Sequence, residues 1–353
     1  MKDAVITLEI EQAVELGRRL LRAQGVPADI AADVAQHVVE SDRVGYASHG
    51  LSILPNYHRV LSDGLLVPDG RPSALNDRGS FLSYEGNRGY GQHVGKVVVE
   101  AAIARARRDG LCLLTLRNSH HLGRMGHYGE MVAQAGMVLL AFTNVINRSP
   151  TVAPYGGAQA RLTTNPLCFA GPLPNGRPPL VVDMATSAIA VNKARVLAAQ
   201  GQAAPPGSMI DASGRPTTNA ADLFADPPGA LLPFGEHKGY ALGLVAELLA
   251  GVLSGGGTIQ PEHPRGGAAI NNLFAIVLDP TVHFGAEWRT HEVDAFLSYL
   301  QDCPPQPGVD RVQYPGEFEA GNRQRHATHV HYDAAIWAGL AGLGRTLGVP
   351  MPA

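Results

Sequence analysis

Residues 111–145 read LCLLTLRNSHHLGRMGHYGEMVAQAGMVLLAFTNV, and they carry the clearest indication of fold class in the chain. Two continuous apolar runs, LCLLTL at 111–116 and MVLLAFTNV at 137–145, enclose a segment whose helical pattern extends to Ala135. Apolar runs of this kind, separated by a helix, are typical of strands in a sheet that is covered on both faces. The stretch therefore predicts an α/β core.

Strand and helix patterns continue to alternate on both sides of this stretch. Upstream, FLSY at 81–84 reads as a short strand and residues 92–108 read as a helix. Downstream, PLVVDMATS at 179–187 reads as a strand entering a helix, and HKGYALGLVAELLAGVLSGG at 237–256 reads as a long helix ended by glycines. A late strand, NLFAIVLD, follows at 272–279.

The α/β core is expected over residues 75–280, with flanking helices from both termini. Residues 1–74 carry amphipathic helix patterns, and residues 281–353 return to helical patterns around the proline-rich loop CPPQPG. We expect the N-terminal helical region to pack with the C-terminal one. Such a surface is a natural subunit interface, and a homodimer is the simplest assembly.

Charge and hydropathy exclude several classes of protein. The 28 basic and 31 acidic side chains give a net charge of −3 without a block of like charge, so neither nucleic acid nor an anionic membrane is an expected partner. The longest apolar segment, residues 240–253, contains Glu247 and is too short to span a bilayer. Three widely spaced cysteines favour a reducing compartment, and no signal-peptide pattern is present. A soluble cytoplasmic protein is expected.

Standard nucleotide-binding motifs are missing, because no GxGxxG follows a strand and no Walker P-loop occurs. Polar groups instead cluster where strands end and helices begin, which is where α/β proteins place ligands. These segments are Ser48-His49-Gly50, Asn118 to His121, Thr163 to Pro166, Asp183 with Thr186 and Ser187, and Glu236 to Gly239.

Each of these segments has a simpler interpretation. Ser48, Asp183 and Thr186 are compatible with ordinary helix caps, and for the latter two capping explains the residue as well as function does. His120 and His121 are compatible with exposed histidines in a loop. The C-terminal histidines 326, 329 and 331 share no helical face and have no carboxylate or cysteine companion nearby, so no metal site is expected.

Seven ordered segments resemble the type 2 malate/L-lactate dehydrogenase family, and most closely its hydroxycarboxylate dehydrogenase B branch. They are SHGLSILPNY, NSHHLGRMGHYGE, PYGGAQARLTTNP, DMATSAIAVNKARV, GSMIDASGRPTTN, FGEHKGYALGLVAELLAGVLSGG and YPGEFE, and together they cover almost the whole chain. The resemblance implies a non-Rossmann nicotinamide-binding core, a homodimer, and metal-free hydride transfer. It also implies a 2-oxo or 2-hydroxy carboxylic acid as substrate and NAD or NADP as cofactor, the choice between them being open.

The resemblance also implies roles for individual residues. His49 matches the family's proton donor, Ser48 matches a hydroxyl that hydrogen-bonds it, and His121 matches a second histidine proposed as acid or base. Histidine, with an ordinary pKa of about 6.5, suits the proton transfer that accompanies reduction of a 2-oxo acid. The positions that match cofactor contacts are Gly123, Arg124, Met125, Val181, Val182, Asp183, Met184, Ala185, His237, Lys238, Asn271, Gly316, Glu317, Phe318 and Glu319.

Two departures from the family pattern bear on the substrate. Most relatives place an arginine five residues after the serine of SHG, where this chain has Ile53. Arg124 is therefore our candidate for binding the substrate carboxylate, with a cofactor phosphate as the rival ligand, and Thr164 is a second candidate substrate contact. Lys193 stands where cyclic imino-acid reductases place an aspartate, which counts against pyrroline- or piperideine-2-carboxylate reduction, the alternative function.

A catalytically silent binding protein on the same fold is the other alternative. Such a protein would be expected to have lost Ser48, His49 or Lys238, and all three are present. The sequence therefore favours an active enzyme.

Overall fold

The computed structural model describes residues 5–282 and 285–352. Residues 1–4, 283–284 and 353 belong to the two predicted terminal regions and lie outside the described part. The strands are β1 Ile6–Glu9, β2 Ser73–Arg78, β3 Phe81–Glu85, β4 Leu111–His120, β5 Val138–Ile146, β6 Leu167–Gly171, β7 Leu180–Met184, β8 Met209–Ile210, β9 Ala230–Leu231, β10 Ile270–Leu278 and β11 His329–Tyr332. The helices are α1 Ile10–Arg22, α2 Ala28–Arg43, α3 Leu54–Ser62, α4 Gly91–Asp109, α5 Met125–Gln134, α6 Val191–Ala199, α7 His237–Ala246, α8 Ala286–Gln301, α9 Glu317–Arg325 and α10 Ala334–Leu347.

Seven strands form the central sheet in the order β2-β3-β4-β10-β5-β6-β7. Only β3 and β4 run parallel, and the other neighbours are antiparallel. The late strand β10 inserts between β4 and β5, and its Ile270 lies opposite both His120 and Ile146. The segments that leave β4 and β5 at this edge are therefore brought close together by a strand more than 120 residues away in sequence.

Helices cover both faces of the sheet, as the apolar runs predict. Along β10, Ala275 faces a core formed with α4 and α5, whereas Phe274 faces Ala246 and Ala250 on the opposite side. This alternation follows from the two-residue period of a strand, which sends successive side chains to opposite faces. The helix α7 continues as a π-helical segment over Glu247–Val252.

The two ends of the chain share one hydrophobic core. Strand β1 pairs with β11, with Ile6 opposite Tyr332. Leu16 of α1, Val34 of α2 and Leu340 of α10 are buried in the same cluster. The predicted packing of the N-terminal helices with the C-terminal ones is therefore present, while the proposed boundaries at residues 74 and 280 stay predictions. Within the described ranges, no helix is long and apolar enough to cross a membrane.

Two local expectations were wrong. Strand β4 extends through His120, so Asn118 to His120 belong to the strand rather than to a following loop. Thr186 and Ser187 do not begin a helix, because α6 starts only at Val191. The Thr186 amide instead donates to the Thr164 carbonyl, 2.9 Å away, and this non-helical pairing removes the capping interpretation of Thr186.

Candidate active site

The Ser48-His49-Gly50 turn is held by a buried carboxylate from α2. Asp42 accepts a hydrogen bond from the Leu51 amide at 2.9 Å and another from the Tyr332 hydroxyl at 3.1 Å. A Cβ atom at Gly50 would overlap the Asp42 carboxylate, so only glycine fits this position of the motif. Burial raises the pKa of Asp42 to about 7. Asp42 thus fixes the turn that carries His49.

His49 is held through one ring nitrogen and leaves the other free for chemistry. Its Nδ1 lies 3.0 Å from the Ser48 hydroxyl oxygen. No residue in the described ranges forms a hydrogen bond with its Nε2. Burial, with a smaller contribution from the positive charge of Arg124, lowers the pKa of His49 to about 4. The ring is therefore neutral near pH 7, and in the tautomer whose Nδ1 donates to Ser48 it can accept a proton at Nε2.

His121 lies against His49, with ring centroids 5.6 Å apart and planes inclined by 25°. Gln92 donates to the Tyr57 hydroxyl oxygen at 2.6 Å, so the Tyr57 proton points to Nδ1 of His121, 2.8 Å away. These two hydrogen bonds assign the proton of neutral His121 to Nε2. Burial, followed by neighbouring charges that include His49, holds the pKa of His121 well below its ordinary value.

A cavity of about 270 Å³ lies beside the turn. Its lining residues are Tyr46, Val181, Val182, Asp183, Met184, Pro315, Gly316, Phe318 and Glu319. The cavity therefore joins two segments that the resemblance assigns to cofactor binding and that lie more than 130 residues apart in sequence. The Tyr46 hydroxyl donates to Oε1 of Glu319 at 2.6 Å and closes one wall.

The loop at the start of α5 packs against this cavity. The Gly126 amide donates to Oδ2 of Asp183 at 2.6 Å, and burial raises the pKa of Asp183 to about 6. A Cβ atom at Gly126 would lie 2.6 Å from Nη1 of Arg124 and 3.0 Å from that same carboxylate oxygen. The loop between β4 and α5 thus needs glycine at this position.

Arg124 lies beneath the cavity, with only 1% of its side chain exposed. Its Nη2 is 2.7 Å from Oε2 of Glu130, which also accepts from Arg323 at 2.8 Å. Its Nε and Nη1 have no hydrogen-bond partner among the described residues. Arg124 is therefore one half of a buried ion pair that keeps part of its donor capacity unused.

The remaining predicted contacts are distributed around this centre. Lys238 and His237 are exposed at the start of α7, whose Gly239 packs against the Thr186 carbonyl close to the Asp183 segment. Thr164 is half-buried, and its carbonyl accepts from Thr186.

Two predicted contact residues have side chains that are already engaged within the protein. Asn271 accepts from the Leu122 amide and donates to the Asn144 carbonyl. Glu317 accepts from Arg311 at 2.8 Å and does not line the cavity.

Several residues of the site were not predicted from sequence. Asp42 and Gln92 belong to no recognisable motif. Tyr57 ends the SHGLSILPNY segment, but it stands in a predicted helix with no sign of its contact to His121. The contacts of Asp42, Tyr57 and Gln92 join residues 9 to 290 positions apart, so no local pattern could indicate them. Tyr46, two residues before the SHG motif, is the one that its position could have suggested.

Comparison with known proteins agrees with this geometry. The family model for malate/L-lactate dehydrogenase matches residues 8–341. An L-lactate dehydrogenase from Cupriavidus necator is 63% identical over 98% of this chain and 99% of its own. Hydroxycarboxylate dehydrogenase B from Escherichia coli is 35% identical over 94% of this chain and 91% of its own. The structure of sulfolactate dehydrogenase from Methanocaldococcus jannaschii, 30% identical, superposes with a TM-score of 0.85 over 98% of both chains.

The fold and the histidine pair define an oxidoreductase that acts on hydroxy acids with a nicotinamide cofactor. The chain belongs to the malate/L-lactate dehydrogenase family. The family and the α/β fold predicted from the sequence are thereby confirmed. The residues around the cavity fit such a cofactor, since Val181 and Phe318 offer apolar surface and Gly316 presents backbone without a side chain.

Proposed function

We propose that the protein interconverts a short 2-oxo acid and its 2-hydroxy acid, with pyruvate and L-lactate first among the candidates, using NAD or NADP. The observation that carries the proposal is the stacked pair of neutral histidines beside the cavity, with His49 Nε2 free and a proton assigned to His121 Nε2. The name of the 63% identical relative supports the choice of substrate.

When bound, the nicotinamide supplies or accepts the hydride at C2 of the acid. In oxidation, His49 Nε2 accepts the hydroxyl proton, and Ser48 orients the ring through Nδ1. His121 donates a hydrogen bond from Nε2 to the same oxygen and stabilises the negative charge that develops there. In reduction, His49 must carry the proton, and the negative charge of a bound carboxylate favours that protonated form.

The cofactor-contact positions carried over by resemblance are part of this proposal. Their support is the meeting of the Val181–Met184 and Gly316–Glu319 segments in one cavity, with the α5 loop beneath it. Arg124 stays proposed as a ligand of the substrate carboxylate or of a cofactor phosphate, supported by its two unused donor nitrogens. Thr164 stays proposed as a substrate contact.

The proposed function is tested by a panel of 2-oxo acids and cyclic imines, each with NADH and NADPH, followed by absorbance of the reduced nucleotide. Pyruvate is expected to give the highest kcat/KM. Faster reduction of a pyrroline- or piperideine-2-carboxylate than of any oxo acid would contradict the proposal. The exposed position of Lys193 on α6 and the packing of Ile53 against the N-terminal core are consistent with the oxo-acid choice.

Lys238→Ala should weaken nucleotide binding. An exposed ammonium group in the first turn of α7, at the positive end of the helix dipole, suits a cofactor phosphate. Loss of one charge-assisted contact costs about 1.5–3 kcal/mol of binding. Fluorescence titration with NADH and NADPH measures it, and the control is alanine in place of Lys96 on α4, a half-buried lysine that pairs with Asp33. Unchanged dissociation constants for both nucleotides would remove Lys238 from the cofactor site.

We also propose a cytoplasmic homodimer. The exposed face of α7 and the π-helical segment carries large apolar side chains, with Leu248 51%, Val252 54% and Leu253 60% exposed, as a subunit interface would provide. The three cysteines are free thiols, which suits a reducing compartment. Sedimentation equilibrium should give twice the chain mass, and Leu248→Glu should shift the protein towards monomer. A wild-type monomer at micromolar concentration would contradict the assembly.

A further inference from the structure

Arg148 lies just beyond the end of a strand, at the same edge of the sheet as the proposed catalytic histidines. It lies two residues beyond Ile146, the last residue of β5, and His121 follows His120, the last residue of β4. Ile146 and His120 both lie opposite Ile270 of β10. Only one strand therefore separates the segment that carries Arg148 from the one that carries His121.

The guanidinium of Arg148 is half-buried, and none of the described residues forms a hydrogen bond or ion pair with it. The other arginines near the site each have a side-chain partner, although Arg124 keeps Nε and Nη1 without one among the described residues. Arg124 pairs with Glu130, and Arg195 donates to Asn192 at 2.7 Å. A partly buried cation without a partner costs free energy that a bound anion would offset. This environment predicts an anionic ligand at Arg148.

The positive charge of Arg148 acts on His121, one member of the histidine pair. Among the causes that lower the pKa of His121, the positive charge of Arg148 follows burial, His49 and His120. Burial and then Arg195 lower the pKa of Arg148 itself. Asn192, on the same helix as Arg195, donates to the Ser48 carbonyl at 3.4 Å. Helix α6 therefore connects the surroundings of Arg148 with the SHG turn.

We propose that Arg148 binds the carboxylate of the 2-oxo acid, an inference that rests on the proposed function. The positive charge of Arg124, on the side of the proposed cofactor cavity, lowers the pKa of His49. The positive charge of Arg148 lowers the pKa of His121. Substrate held by Arg148 would place its C2 oxygen near the histidines without competing for the cavity. Of the two ligands proposed for Arg124, this assignment leaves the cofactor phosphate. The planar guanidinium can bind a carboxylate through two hydrogen bonds.

This assignment accounts for the missing family arginine. Ile53, which stands at that position, packs against the N-terminal core and offers no cation. Arg148 supplies one from the segment that follows β5 instead. The carboxylate is then recognised by a residue that belongs to none of the motifs shared with the family.

The test compares Arg148→Met, Arg148→Lys and Arg148→Gln with Arg161→Met, an exposed arginine whose donors face Gln159 and the Ala160 carbonyl. Arg148→Met should raise KM for pyruvate roughly ten- to a hundredfold, the scale of one charged hydrogen-bonding group. It should leave the dissociation constant of the nucleotide within about twofold. KM for pyruvamide, which carries no carboxylate, should change little, and the lysine variant should recover part of the pyruvate affinity. Arg161→Met should match the wild type.

Calorimetric titration of oxamate, an unreactive carboxylate analogue, in the presence of nucleotide makes the test independent of turnover. Loss of oxamate binding in Arg148→Met and Arg148→Gln supports the inference even if pyruvate proves not to be the preferred substrate. Wild-type-like pyruvate KM and oxamate affinity in folded Arg148 variants overturn it, while activity of the wild type on 2-oxo acids would still uphold the proposed function.

Discussion

His49→Ala should lower kcat for pyruvate reduction and lactate oxidation by about a hundredfold or more, the usual contribution of a positioned acid or base. The structure supports this effect because His49 is fixed through Nδ1 by Ser48 and leaves Nε2 free beside His121. Nucleotide affinity should change far less, since His49 does not line the cavity proposed to hold the cofactor. Steady-state kinetics in both directions and nucleotide titration measure the two quantities.

The pH dependence of the two reaction directions provides a second test of the role of His49. The pKa of His49 in the free protein is lowered to about 4, so the neutral base needed for oxidation persists from neutral pH down to about that value. Reduction needs the protonated form and should therefore accelerate as pH falls. In His49→Ala, this opposite pH response of the two directions should disappear.

His58→Ala is the matched control for His49, since His58 lies on α3 and hydrogen-bonds Gln24 away from the site. Its kcat should equal that of the wild type. Near wild-type turnover in His49→Ala would contradict the assignment and transfer the proton-transfer role to His121.

Arg124→Met should lower the free energy of unfolding by about 3 kcal/mol, the lower end of the cost of breaking a buried ion pair. Glu130 would remain buried with only Arg323 as its partner, while methionine would retain much of the packing volume. Urea unfolding measures the change. Arg323→Met removes the more exposed cation, 28% accessible, and should cost less.

Kinetics of the same variant resolve what else Arg124 does. A carboxylate-binding role adds a raised KM for pyruvate with nucleotide affinity intact, and a phosphate contact gives the reverse. Stability equal to that of the wild type would show that the Arg124–Glu130 pair contributes nothing net to folding.

Much of the fold could be predicted from the sequence because it rests on local periodicity. The apolar runs of β4 and β5 identified a covered sheet, and the amphipathic N-terminal helices were found near their observed positions. The end of β4 was misplaced because its last residues, Asn118 to His120, are polar. They are held in the ladder by β10, whose position in the sheet no local pattern reveals.

In the candidate site, too, some features could be predicted from the sequence and others depend on tertiary contacts. The sequence by itself identified the proposed reacting groups, since Ser48, His49 and His121 stand in motifs whose chemistry and order are recognisable. Only the tertiary structure decided their protonation and their surroundings. Burial set the pKa values, Tyr57 set the tautomer of His121, and the insertion of β10 brought Arg148 to the same edge of the sheet. The physical reason is that residue type and spacing are properties of the chain, whereas desolvation and through-space charge depend on contacts between residues far apart in sequence.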